Sequence, residues 1–313
     1  MQVNTRAAYD TANHRMSSLQ AEMDRLQASI ATGKRILAPD DDPVGAARVT
    51  LLERRLAVHA ADRTGIDRAT SRLNAADAAL GAVGSVLDRV KDLALQGANA
   101  TLSPADRATL AGEVGQLAEQ LAGYANARGP DGGTLFAGAR TGSAAYAPDA
   151  AGRLVWQGAG TAATLVLDTG AVATSLDGPA VFEGLPGGTT PPPLPRPVVT
   201  DVFAMLTNLR AALNEPDAKL RAHGLANALT GVDAAVSRTA DSRAAIGTRL
   251  ARLEAEDLRL DAAGSALETD LSKTESLDMS VAITRLQRLV TVLQATQLSF
   301  ARTSALSLWD VLR

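Results

Sequence analysis

Three consecutive aspartates, Asp40, Asp41 and Asp42, stand between Pro39 and Pro43. Such a cluster is a candidate for binding a divalent cation. A calcium loop, however, spaces its oxygen ligands at alternate positions and needs a glycine at the sixth. Side chains on consecutive residues diverge, and no His or Glu lies beside these three to complete a site. The competing chemistry is capping. Asp42 directly precedes Pro43, a residue suited to the first position of a helix. An aspartate there accepts from free backbone N–H groups, and its charge favours the positive end of the helix dipole. Capping is the better supported reading, and no metal is expected at this stretch.

GAGTAA, residues 158–163, matches the G-x-G-x-x-A pattern of a dinucleotide loop, with Asp177 near the expected acidic position. That fingerprint requires a helix to follow. Here TLVLDTG follows, which reads as strand and turn, so no cofactor is expected. The histidines, His14, His59 and His223, lie far apart within helical patterns, and no H-E-x-x-H, G-x-S-x-G or Walker loop is present. A histidine packed in or at the rim of a helical bundle is the ordinary explanation of each. No catalytic residue emerges, so the chain is not expected to be an enzyme. Without cysteine, thiol catalysis, disulfides and thiolate metal centres are excluded.

The elements that would position these residues are long helices. Tyr9, Met16, Met23, Ile30 and Leu37 are seven apart, with Ala12, Leu19 and Leu26 between them. This is an a/d seam, the signature of a coiled coil. It predicts a first helix that ends at Gly33, a residue free to take the left-handed conformation of a C-terminus. Ala38-Pro39 imposes an extended step, and Pro43 opens a second helix running to about residue 98. Its stripe is Ile66, Leu73, Leu80 and Leu87, with Ala69, Ala76, Val83 and Val90. Ser103-Pro104-Ala105-Asp106 caps a third helix. Between residues 129 and 200 glycines and prolines crowd in and helical period disappears. Short apolar runs at 134–137, 154–157, 164–168 and 181–182 read as strands, and 184–197 as a proline-rich linker. Helical pattern returns at Asp201, then at Glu215-Pro216-Asp217, and lastly at Asp278, where Ile283 and Val290 alternate with Leu286, Leu293 and Phe300.

The expected fold is therefore mainly α. A long antiparallel helical bundle or coiled coil is formed by the N- and C-terminal regions, with a small β-rich insert between them. Three parts are expected: a terminal coiled coil from 1–42 and 278–313, a helical rod from 43–130 and 201–277, and a β-rich segment over 131–200. Composition agrees: 46 % of residues are apolar but only 3 % aromatic, which suits helices packed closely through Ala and Leu. With 31 basic and 34 acidic residues and no basic block, nucleic-acid binding is not expected. No apolar stretch is long enough for membrane insertion. The N-terminus lacks the apolar core of a cleaved signal peptide.

The corner sequence carries a further likeness. Residues 32–48, TGKRILAPDDDPVGAAR, fit the pattern S/T-G-K-R-[VI]-x-x-P-x-D-D-P-V-x-A-A-R. Ser276-Leu277-Asp278-Met279-Ser280 and the closing TSALSLW, residues 303–309, match at the other end, and Leu135-Phe136-Ala137-Gly138 resembles an L-F-x-G turn. In these stretches the chain resembles the flagellin superfamily, and within it the hook-associated branch, since flagellins proper carry alanine where Pro39 and Pro43 stand. The resemblance implies a structural axial component of the bacterial flagellum that joins hook to filament. It would be exported unfolded through the type III apparatus, without a cleaved signal, and be extracellular. Self-association in a ring or helical assembly would use Met16, Leu19, Met23, Leu26 and Ile30 with Ile283, Leu286, Val290, Leu293, Phe300, Leu306 and Leu308. Gly33, Pro39, Asp42 and Pro43 would form the helix corner. The first hook-associated protein, flagellin and an export chaperone are the implied partners. A short flagellin that forms the filament itself, or a coiled-coil cell-surface binding protein, are the alternatives.

Overall fold

The computed structural model describes residues 5–140, 142–160, 162–189 and 197–311. Helices α1 (Thr5–Thr32), α2 (Pro43–Gly97) and α3 (Pro104–Ala125) come first. An irregular middle follows, with strands β1 (Tyr146–Pro148), β2 (Leu154–Trp156), β3 (Thr164–Leu167) and β4 (Gly170–Ala173), the short helix α4 (Gly178–Phe182), and strands β5 (Leu185–Thr189) and β6 (Pro197–Thr200). Helices α5 (Val202–Asn214), α6 (Ala218–Glu275) and α7 (Met279–Val311) complete the chain. The fold is thus mainly α, with three separate two-stranded antiparallel sheets.

The helices begin where the sequence supplies a cap. Ser103 Oγ accepts from the Asp106 N–H at 3.1 Å, and the Asp106 carboxylate returns the bond to Ser103 N–H at 3.3 Å. Asp201 accepts from Ala204 N–H at 2.7 Å, Asp217 from Lys219 N–H at 2.7 Å, and Asp278 from Ser280 N–H at 3.0 Å. Each acceptor satisfies donors that the first turn leaves without a partner.

The chain forms two compact units: Met1–Ala60 with Asp261–Arg313, and Ala61–Leu260. Their boundaries fall inside α2 and α6 rather than at a loop. In the unit Ala61–Leu260, one face of α2 supplies Ile66, Ala69, Leu73, Ala76, Leu80, Val83, Leu87 and Val90, all buried. Leu117 and Leu121 of α3, Leu206 and Leu209 of α5, and Val232 and Ile246 of α6 join the same core. Ion pairs Arg63–Asp257, Asp77–Arg243 and Lys91–Asp233 (3.0, 2.8 and 2.7 Å) link α2 to α6 at intervals that only antiparallel helices allow. Exposed pairs of this kind add little stability, but they favour one register.

The β-rich middle is held by side chains of the helices that bind its backbone. From α6, Arg238 donates to Glu183 O (2.5 Å), Arg249 to Ser175 O (3.1 Å) and Arg252 to Thr169 O (3.2 Å). From α2, the buried Arg72 donates to Thr134 O at 2.6 Å. Asn227 pairs with both the N–H (3.1 Å) and the C=O (2.7 Å) of Thr189, as a neighbouring strand would. Three of the four phenylalanines cluster here with Tyr146: Phe182 and Phe203 each meet Tyr146 and one another, and Phe136 meets Phe182, in tilted and edge-to-face contacts with ring centroids 5.0–6.2 Å apart. A chain poor in aromatic residues spends them where strands too short to bury much surface need a core.

Two expectations for this region need correction. The apolar run at 134–137 is a buried loop, not a strand: its backbone pairs only through isolated bridges, Thr134 with Arg128 and Ala137 with Asp177, so no ladder forms. Val181 and Phe182 lie on α4, which Pro179 helps to start. The expected linker also contains structure. Leu185 pairs with Thr200 and Pro186 with Val199, and residues 190–196, which connect β5 to β6, lie outside the described residues.

Tyr146 and Glu183 form a titratable pair in this core, with the phenol donating to the carboxylate at 3.4 Å. Burial pushes the Tyr146 hydroxyl well above its ordinary range, and the Glu183 charge adds to the rise. Desolvation likewise raises the Glu183 carboxyl, with Asp201 contributing. An acid whose folded pKa is raised binds its proton more tightly when folded. It therefore costs stability as pH climbs from its unfolded value through its folded one. Glu183→Gln is expected to raise the melting temperature at pH 7 and leave it unchanged at pH values where Glu183 is already protonated. Melting curves of both proteins across pH 3–8 would check this.

Candidate assembly surface

The corner in the unit that holds both chain ends is built by local bonds. Gly33 takes φ +69° immediately after α1, which a side chain would resist. Asp41 accepts from the N–H groups of Leu37 (3.0 Å) and Ala38 (2.9 Å), closing the turn around Pro39. Asp42 accepts from Gly45 N–H at 2.9 Å, and its other oxygen from Arg35 at 3.1 Å, so it caps α2 with Pro43 as the first helical residue. Backbone donors hold the Asp41 carboxyl below its ordinary pKa, and the Gly45 N–H followed by Arg35 does the same for Asp42. Asp40 takes part in neither arrangement.

The corner is tied to a second one, between α6 and α7. Gly33 O accepts from Leu277 N–H (2.9 Å), and Arg35 N–H donates to Glu275 O (2.7 Å). Lys34 pairs with the Glu275 carboxylate at 2.9 Å, and Arg35 reaches Thr274 O at 2.9 Å. No local signal marks this pairing, because the partners are some 240 residues apart. Gly33→Ala leaves room for the methyl group, since nothing lies within 4 Å of it. Its effect is therefore conformational: a loss of about 1–2 kcal/mol, readable in urea denaturation.

Helix α1 packs along α7. Tyr9 meets Phe300 edge to face, with centroids 5.2 Å apart, and Arg285 pairs with Glu22. These contacts join the start of one helix to the end of the other, so the pair is antiparallel. On α1, Met16, Leu19, Met23, Leu26 and Ile30 are half-buried, as the heptad implied. On α7, Leu286, Val290, Leu293 and Phe300 are half-buried, but Ile283 is 43 % exposed. Ala282, only 3 % exposed, occupies the inward position, followed by Leu289 and Thr296 at intervals of seven. Leu286, Leu293 and Phe300 thus keep their inward positions, while at the alternate seam position Ala282 is the buried residue and Ile283 the exposed one. The side chains of Leu306 and Leu308 lie outside the described residues.

Apolar side chains also face outward in this unit. Val44, Leu51 and Val58, seven apart on α2, are 81, 48 and 52 % exposed, while Leu52 points inward. Val281, Val292 and Leu298 of α7 are exposed as well. Aliphatic residues seven apart share one face of the helix, the spacing by which a helix can dock on a partner. Among the described residues, no three His, Cys, Asp or Glu side chains gather as metal ligands. His223 contacts Thr189 O at 2.8 Å, and His14 and His59 sit on other helices. GAGTAA leads into strand β3, so the helix required of a dinucleotide loop is missing. No described helix is long and apolar enough to cross a membrane.

The N-terminal helical region of bacterial flagellin matches residues 3–141, and the C-terminal helical region matches residues 229–311. Together they take in most of the chain and all of both helical ends. This chain belongs to the flagellin family. Among curated relatives, flagellar hook-associated protein 3 of Escherichia coli is 26 % identical over 99 % of both chains. A flagellin of Listeria monocytogenes is 31 % identical, but over only 39 % of this chain and 42 % of its own. The same fold occurs in the crystal structure of hook-associated protein 3 from Legionella pneumophila (TM-score 0.65, 18 % identity, 72 % of this chain and 98 % of that one). Within this flagellin-family fold, the paired terminal helices and the corner are the parts that the sequence signatures mark most strongly.

Proposed function

We propose that this flagellin-family chain is a structural axial subunit that joins the flagellar hook to the filament. The observation that carries the reading is end-to-end similarity to a hook-associated protein 3, against a flagellin match confined to part of the chain. The subunit self-associates through the α1–α7 hairpin and the outward aliphatic rows, which gain burial only when copies pack together. Its neighbours are the first hook-associated protein on the hook side and flagellin on the filament side. It reaches the cell exterior unfolded through the type III apparatus, with a chaperone holding its apolar termini before export. Its role is not enzymatic. A short flagellin is the second reading, supported by the partial Listeria match.

Immunogold labelling of isolated flagella separates the two. Label confined to the hook–filament boundary is expected. Label along the whole filament would replace this reading with the flagellin one.

A further inference from the structure

In the unit that holds both chain ends, α2 and α6 run antiparallel, and Arg48 pairs with Asp270 across them at 3.7 Å. On α2 the exposed residue stands just before the buried one, as Leu51 before Leu52. On α6 it stands just after, as Glu268 after the half-buried Leu267. In an antiparallel pair of right-handed helices these two positions project to opposite sides.

The two sides differ in charge. The α2 side carries Val44, Leu51 and Val58 beside the exposed Arg48 and Arg55, which are seven apart. The α6 side carries the exposed Asp261 and Glu268, also seven apart. Both charged rows therefore repeat about every 10 Å along their helices. The small, exposed Ser265 and Ser272 on the α6 side leave room for an aliphatic row to approach. Asp261 already has contacts within its own chain, whereas Arg55 and Glu268 make no ion pair among the described residues. Two α2 rows brought together would set arginine against arginine, which disfavours a contact of this side with itself. The outer face of α7 carries Arg288 beside Val281 and Val292, so it does not complement the α2 row either.

Resting on the self-assembling subunit proposed above, we infer that the α2 row of one copy packs against the α6 side of the next. Such a contact is heterologous. Each copy gives one side and receives on the other, so the contact propagates into a ring or a helical array rather than closing a dimer.

The chain has no cysteine, so introduced thiols report the contact directly. Leu51→Cys and Ser265→Cys are combined in one chain, and isolated flagella that carry it are treated with a short bismaleimide. A ladder of dimers, trimers and higher species on an immunoblot is expected, because each copy offers one thiol on each side. Each single variant should stay monomeric, and the two single variants expressed together should stop at dimers. Ser272→Cys in place of Ser265→Cys covers a shift of one heptad in register. Double variants that label the hook–filament boundary at the usual density but give no ladder with either serine would overturn the contact and leave the proposed function standing. Dimers from Leu51→Cys alone, or a cross-link to a different protein, would overturn it as well. If Leu51→Cys is not incorporated, charge reversal decides. Arg55→Glu should cut incorporation by about tenfold, and adding Glu268→Arg to the same chain should restore it. Normal incorporation of Arg55→Glu, or no rescue by the second reversal, refutes the contact. Loss of the boundary label from the unmodified chain would instead strike the proposed function.

Discussion

Leu293→Asp is expected to abolish incorporation of the subunit into flagella. Leu293 lies half-buried on the face of α7 that carries Leu286 and Phe300, the face turned to α1. A carboxylate there loses solvation without gaining a donor, and the hairpin gives up apolar contact on both sides. The core of the unit Ala61–Leu260 contains no residue of α7, so its helices should remain folded. The purified variant should keep most of its helical circular dichroism. Cells that carry only this variant should show no label at the hook–filament boundary and no swimming. Junctions labelled at the usual density would mean that the seam is not needed for assembly. Ile283→Asp offers a sharper comparison, since Ile283 is 43 % exposed and faces away from α1. It should leave the hairpin intact and weaken only contacts between copies.

The second large effect is on stability. Leu73 is fully buried in the α2 stripe, among Ile66, Leu80 and the inward residues of α3 and α6. Leu73→Ala removes apolar surface and leaves a cavity that helices braced on several sides cannot close. Its expected cost is about 2–5 kcal/mol, measured by urea denaturation of the purified chain. Leu258→Ala is the control, because Leu258 is 66 % exposed. It should change stability by no more than about 0.5 kcal/mol.

The helices were the legible part of this chain. Leu73, Leu80 and Leu87 repeat over many turns, and Ser103 and Asp42 mark starts through bonds to their own neighbours. Both signals are local or periodic, so a single sequence displays them. At the start of α7 the pattern favours Ile283 over Ala282 because isoleucine is the more hydrophobic residue, yet Ala282 is the buried one. A close helix pair can nevertheless favour the smaller side chain inward. The middle was harder. Strands of three to five residues carry too few alternations to identify, and Val181-Phe182 fits strand and helix equally well. The joining of Arg35 to Glu275, like that of Arg249 to Ser175, spans long stretches of chain that no local pattern connects.

The arginine contacts from α6 also bear on how this middle segment can evolve. Arg238, Arg249 and Arg252 hold main-chain carbonyls at Glu183, Ser175 and Thr169, not the side chains there. Every residue type offers the same carbonyl. Substitutions on the outer face of this segment therefore leave its attachment intact, provided the backbone path is kept. Side chains of this segment can therefore change while the three arginine contacts are kept. A graft of a foreign loop would need to match a backbone path but not a sequence.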